Sequence, residues 1–183
     1  MKMFTGIRRL LIGLHLALFC LAGTVYAGLD GEPAVSVSVS PHFGPRILEA
    51  QTKSAIIRDY LKSWHSMSRA FQQNDASALD ASFTGMAKEK LTRTISEQRK
   101  AGIATTYRDR SHDIKFVFYS PEGLSLEIVD NVEYDIEMSA HGETRGTKNI
   151  KARYVAVLSP TEVDWKVRVM QAEEDNDNAG KGD

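Results

Sequence analysis

Cysteine is almost absent from the 183-residue sequence: Cys20 is its one thiol. That residue lies in an N-terminal segment that reads as a signal peptide. The processed chain then has no thiol, so disulfides and thiolate metal sites are excluded and stability must come from packing. Charge of one sign is also missing, with 23 Lys and Arg against 24 Asp and Glu, a balance that favours neither a nucleic-acid binder nor a disordered chain. The sequence has no Asn-x-Ser/Thr acceptor, no Gly-rich phosphate loop, no Gly-x-Ser-x-Gly elbow and no strip of basic and aromatic residues. His42, His65, His112 and His141 follow no zinc spacing, and neither a metal nor a cofactor is expected.

Lys2, Arg8 and Arg9 precede an apolar run from Leu10 to Ala22, and Val25-Tyr26-Ala27 offers the small residues that a signal peptidase needs ahead of its cut. Cleavage after Ala27 is expected, giving a periplasmic or secreted protein. The alternative is an uncleaved segment that tethers the chain to a membrane, because Leu10 to Tyr26 lies near the lower limit for spanning a bilayer. The Arg8-Arg9 pair reads as the positive region that orients insertion rather than as a twin-arginine signal.

Residues 28–46 are rich in Gly, Ser and Pro and read as a flexible linker. Within it Val35 to Ser40 alternate Val with Ser, which suits an extended linker or a weak edge strand. Residues 47–172 make a single domain of ordinary size, and the acidic tail 173–183 is expected to be disordered.

Ile56, Ile57, Tyr60, Leu61, Trp64, Met67 and Phe71 recur at helical spacing and form one wide apolar stripe. Asn74-Asp75 stops this helix, a short second helix covers Ser77 to Phe83, and a third begins near Thr84-Gly85 and ends at Gly102. The period then changes to two. Ile114, Phe116 and Phe118 lead through a turn at Ser120 to Gly123 into Leu124, Leu126 and Ile128; after a bend at Asp130-Asn131 follow Val132, Tyr134, Ile136 and Met138. Ile150, Ala152, Tyr154, Ala156 and Leu158 make the next strand, and Trp165, Val167 and Val169 the last. The expected fold is α+β: about three helices packed on a strongly curved antiparallel sheet of about four strands.

A long Trp-bearing helix (YLKSWHSMSRAF), a short helix, a third helix ending in Gly and long meandering strands that end in WKVRVMQ resemble, in order and length, the nuclear transport factor two-like superfamily. The likeness spans Ile56 to Gln171 and rests on layout. It implies a cone-shaped sheet around the long helix, and it implies either an isomerase-like or cyclase-like enzyme or a non-catalytic domain that binds a ligand or a protein.

The alternation points aliphatic residues inward and leaves no histidine or carboxylate among them, so no catalytic residue is assigned. Candidate ligand-binding residues are Trp64, Tyr134 and Tyr154, with Asp130 at the bend; a bulge residue bonding its own backbone is the competing reading of Asp130. Glu133, Asp135 and Glu137 face Lys151, Arg153, Lys166 and Arg168 across the outer surface, as register-setting pairs or a charged docking surface. The reading that follows is an exported non-catalytic domain for a small apolar molecule or a partner protein. An isomerase or cyclase of the same fold, and a homodimeric assembly module, are its rivals.

Overall fold

The computed structural model describes residues 31–140 and 142–173. The signal peptide, Cys20, His141 and all but the first residue of the acidic tail lie outside the described residues. Two α-helices, α1 (Ala50–Gln73) and α2 (Gly85–Lys100), pack on one face of a curved, unclosed sheet in the order β1-β2-β3-β4-β5. The strands are β1 (Ala34–Val39), β2 (Ile103–Tyr119), β3 (Leu126–Ala140), β4 (Glu143–Pro160) and β5 (Trp165–Glu173). β2 to β5 form an antiparallel meander, and β1 joins β2 in parallel.

The stripe on α1 does what its spacing dictates: Ile56, Tyr60, Trp64, Met67 and Phe71 are all buried. Asn74 ends the helix in the left-handed conformation at φ 53°, which a short amide side chain tolerates. Its Nδ2 donates to the Ile103 carbonyl at 2.8 Å, so one residue both caps α1 and ties it to the start of β2. At the other edge Asp59, buried on α1, accepts the Trp165 backbone N–H at 3.0 Å and pins β5.

Several expectations need correcting. The short second helix is a 3-10 turn over Ala76–Leu79, held by Asp75 accepting from the Ser77 N–H. Ala34 to Val39 form strand β1 and Phe43 is buried, so part of the 28–46 segment belongs to the fold: Val35 and Val37 pack against the core, Val39 at the strand end is 44% exposed, and Ser36 and Ser38 face solvent. The sheet therefore has a fifth strand, and a parallel one. No bend interrupts β3, which runs continuously through Asp130-Asn131.

Bulges explain the misplaced inward residues, because one extra residue moves every later side chain to the other face. The register shift at Phe116/Phe118 turns Phe118 out, 43% exposed, and Tyr119 in. The shift between Val157 and Leu158 pairs Val169 with outward Val157 and puts Met170 in the core opposite Ala156. Leu124 belongs to the turn before β3 and is exposed. Met138 keeps the inward register but is 48% exposed. Of the expected cross-strand charge pairs the outer face forms Lys151 with Glu133 at 3.4 Å, while Asp135 is instead bound by Arg110 at 2.6 Å and Arg153 by Glu173.

Candidate functional site

The inner face of β3 changes along its length. Ile128 and Asp130 are fully buried, Val132 and Tyr134 nearly so, Ile136 is half-buried and Met138 open. A sealed polar centre at one end thus grades into a partly exposed aromatic and aliphatic surface toward the β3–β4 hairpin.

Asp130 is the middle of the sealed centre. Its side chain points inward because Leu126, Ile128, Asp130, Val132 and Tyr134 share one parity on an unbroken strand. Its Oδ2 accepts from the Tyr60 hydroxyl at 3.0 Å and lies 2.7 Å from His112 Nδ1. His112 is placed by the parity of Ile114 and Phe116 on β2. A further register shift between Asp109 and Ser111 leaves Arg110 as the extra residue, so that Asp109 also turns inward, with Oδ2 3.8 Å from His112 Nε2. That separation is an ion-pair distance and too long for a hydrogen bond. The expectation that no histidine and no carboxylate faces inward is therefore overturned by His112, Asp130 and Asp109.

Burial is the largest influence on the His112 pKa and pulls it down, but the Asp109 and Asp130 carboxylates together outweigh it and push it up to about 9. The ring is an imidazolium at neutral pH, donating from Nδ1 to Asp130. Burial, and next the Asp130 charge, raise the Tyr60 hydroxyl well above its ordinary value, so it stays a donor. Four atoms of this centre are buried without a hydrogen-bond partner: Trp64 Nε1, Asp109 Oδ1, His112 Nε2 and Asp130 Oδ1.

Trp64 joins the two halves of the cone. Its ring meets His112 edge-on at 5.2 Å, Tyr134 at 5.8 Å and Tyr154 at 5.4 Å. The Tyr134 and Tyr154 hydroxyls are 3.3 Å apart, and Tyr107 lies 5.7 Å from Tyr134. The structure thus gathers Trp64, Tyr134, Tyr154 and Asp130 in one cluster. It adds Tyr60, Tyr107, Asp109 and His112, which the sequence reading did not single out. Of the other histidines, His42 and His65 are exposed.

A long Trp-bearing helix set against the concave side of a meandering sheet is the layout that the sequence resemblance implied. The fold is nuclear transport factor two-like. Among solved structures, the intermembrane space region of the chloroplast protein ARC6 is similar to this chain with a TM-score of 0.57 at 17% identity, over 70% of this chain and 98% of that one. Weaker likenesses include a putative scytalone dehydratase from Novosphingobium aromaticivorans, with a TM-score of 0.48 at 14% identity over 69% of this chain and 89% of that one. A putative dehydratase of the NTF2-like family from Streptomyces avermitilis gives 0.46 at 8% identity over 65% and 96%. No protein-family model and no curated protein sequence matches the chain. The ARC6 likeness bears on the fold alone. Among the described residues no helix is long and apolar enough to cross a membrane.

Proposed function

We propose that this domain is an exported, non-catalytic binding module whose half-buried apolar end takes an apolar group, carried by a small molecule or by a partner protein. The observation that supports this reading is the sealing of the acid–base centre. His112 and Asp130 are 1% and 0% exposed, and Tyr60 and Trp64 are packed over them. Proton transfer needs a substrate atom within hydrogen-bond reach of the transferring group, and here the packed Tyr60 and Trp64 rings close off that approach. The imidazolium is also held too far above neutrality to serve as a base at pH 7. What remains open is the apolar end, where Tyr107, Tyr154, Ile136 and Ile150 are half-buried.

Native mass spectrometry of the protein recovered from its exported fraction, together with titration by the apolar dye anilinonaphthalene sulfonate, tests this. Saturable dye binding that Ile150→Glu removes, in a protein that still melts cooperatively, is expected. Binding that is absent, or indifferent to that substitution, contradicts the reading. An adduct in the native spectrum separates a small ligand from a protein partner.

One observation favours a catalytic reading: the four unpartnered polar atoms at the centre, since buried polar groups are normally satisfied. An enzyme built this way would use His112 as an acid and would have to displace Trp64 to admit a substrate. His112→Gln abolishing a turnover that Ile150→Glu leaves intact would establish that alternative.

A further inference from the structure

The two edges of the sheet are treated differently. At β5 the outward groups of Val167 are used: its carbonyl accepts from the Thr84 N–H at 3.0 Å, and its N–H donates to the Ser82 carbonyl at 2.9 Å. Lys166 and Arg168 flank that position. Covering and charging an edge in this way keeps other strands off it. β1, at the opposite edge, has neither device. Its six residues, AVSVSV, contain no charge and no proline, and among the described residues nothing pairs with its outer side.

The backbone polarity of β1 follows from one bond. Ser40 donates its N–H to the Phe116 carbonyl at 2.8 Å, and Val39 is the register partner of Phe116. Residues alternate in direction along a strand. Ser36 and Ser38 therefore bond toward β2, while Val35, Val37 and Val39 point their N–H and C=O groups away from the sheet, without a partner among the described residues.

We infer that β1 is a self-association edge that pairs antiparallel with β1 of a second copy of this chain, about a two-fold axis through Val37. This register is self-complementary. Val37 meets Val37 and Val35 meets Val39 as hydrogen-bonded pairs on the inner face, while Ser36 meets Ser38 on the outer face. Those are the residues whose free groups need partners, and every pair matches apolar with apolar and polar with polar. An axis perpendicular to the sheet keeps the helices of both copies on the same side and joins the two five-stranded sheets into one. Such a contact is isologous and closes at two chains, which distinguishes it from open-ended edge aggregation. It is independent of what the apolar end binds.

The test is the mass of the chain as its host processes it, by light scattering across the micromolar range. A dimer is expected. Val37→Pro removes the central free N–H without touching the ladder to β2, a placement that proline tolerates on an edge strand, and it should weaken the dimer roughly tenfold or more with the circular dichroism unchanged. If that variant misfolds, paired substitutions on the outer face decide the matter. Ser36→Lys with Ser38→Lys sets like charges opposite each other and should yield single chains. Ser36→Lys with Ser38→Glu sets opposite charges across the axis and should restore the dimer. A protein that is a single chain throughout the range, a dimer that Lys with Lys leaves intact, or a different protein found on this edge overturns the inference.

Discussion

Asp130→Ala is expected to destabilise the domain by about 3 to 5 kcal/mol, the effect of leaving a buried charge without its partner. For a chain of this size that is a fall in Tm of roughly 10 °C, read by calorimetry. The carboxylate is fully buried and serves both the Tyr60 hydroxyl and the His112 ring. Without it the His112 charge keeps only Asp109, at 3.8 Å, while burial continues to disfavour the charged ring. Asp130→Asn keeps the shape and one acceptor oxygen but not the charge. It should fall between wild type and Ala, and an Asn variant as stable as wild type would show that the charge does nothing.

The same pair gives stability a pH dependence. The folded pKa of His112, about 9, lies above its ordinary value of 6.5. A group raised in this way contributes fully below 6.5, and its contribution is lost as pH climbs through 9. The groups that face the ring are Tyr60 and Trp64 from α1, Asp109 on its own strand and Asp130 from β3. Of these the Tyr60 hydroxyl, raised well above its ordinary value, stays protonated through this window. The contribution is on the order of 3 kcal/mol. Melting temperature should therefore decline between pH 6.5 and 9 in wild type and stay flat over that interval in Asp130→Ala.

Trp64→Ala is the second large effect, about 3 to 5 kcal/mol. The ring is 1% exposed and is the wall between the sealed and open ends, in contact with His112, Tyr134 and Tyr154. Removing it creates a void beside a charged group, so guanidinium denaturation should register the loss. Water reaching the imidazolium should also move the His112 pKa toward 6.5. Unaltered stability would mean that α1 presents a different face to the sheet.

Why the fold was readable and the centre only partly so comes down to parity. The α1 stripe and the strand alternations are strong repeating signals that side-chain burial enforces, and they placed Trp64, Tyr134 and Tyr154 correctly. Asp130 and His112 obey the same alternation. Carrying it from Ile128 across to Val132 includes Asp130, and carrying it back from Ile114 includes His112. What hid them was their polarity, since a carboxylate invites a bend and a histidine among Arg108, Asp109, Arg110 and Asp113 invites a solvated turn. Asp109 was out of reach of any periodic argument, because the extra residue Arg110 exchanges the faces of β2 without a sequence mark such as Gly or Pro. Phe118 and Val169 were misplaced for the same reason. Strand β1 was legible as an alternation, but its parallel pairing depends on a partner distant in sequence, which local pattern does not encode.

The most direct measurement is the NMR titration of the His112 ring from pH 5 to 11. The sealed ion pair predicts an imidazolium that persists through neutrality and loses its proton at about 9, with ring N–H signals that exchange slowly with water. A ring that titrates near 6.5 and exchanges freely would contradict it, and would return the centre to the open, catalytic reading.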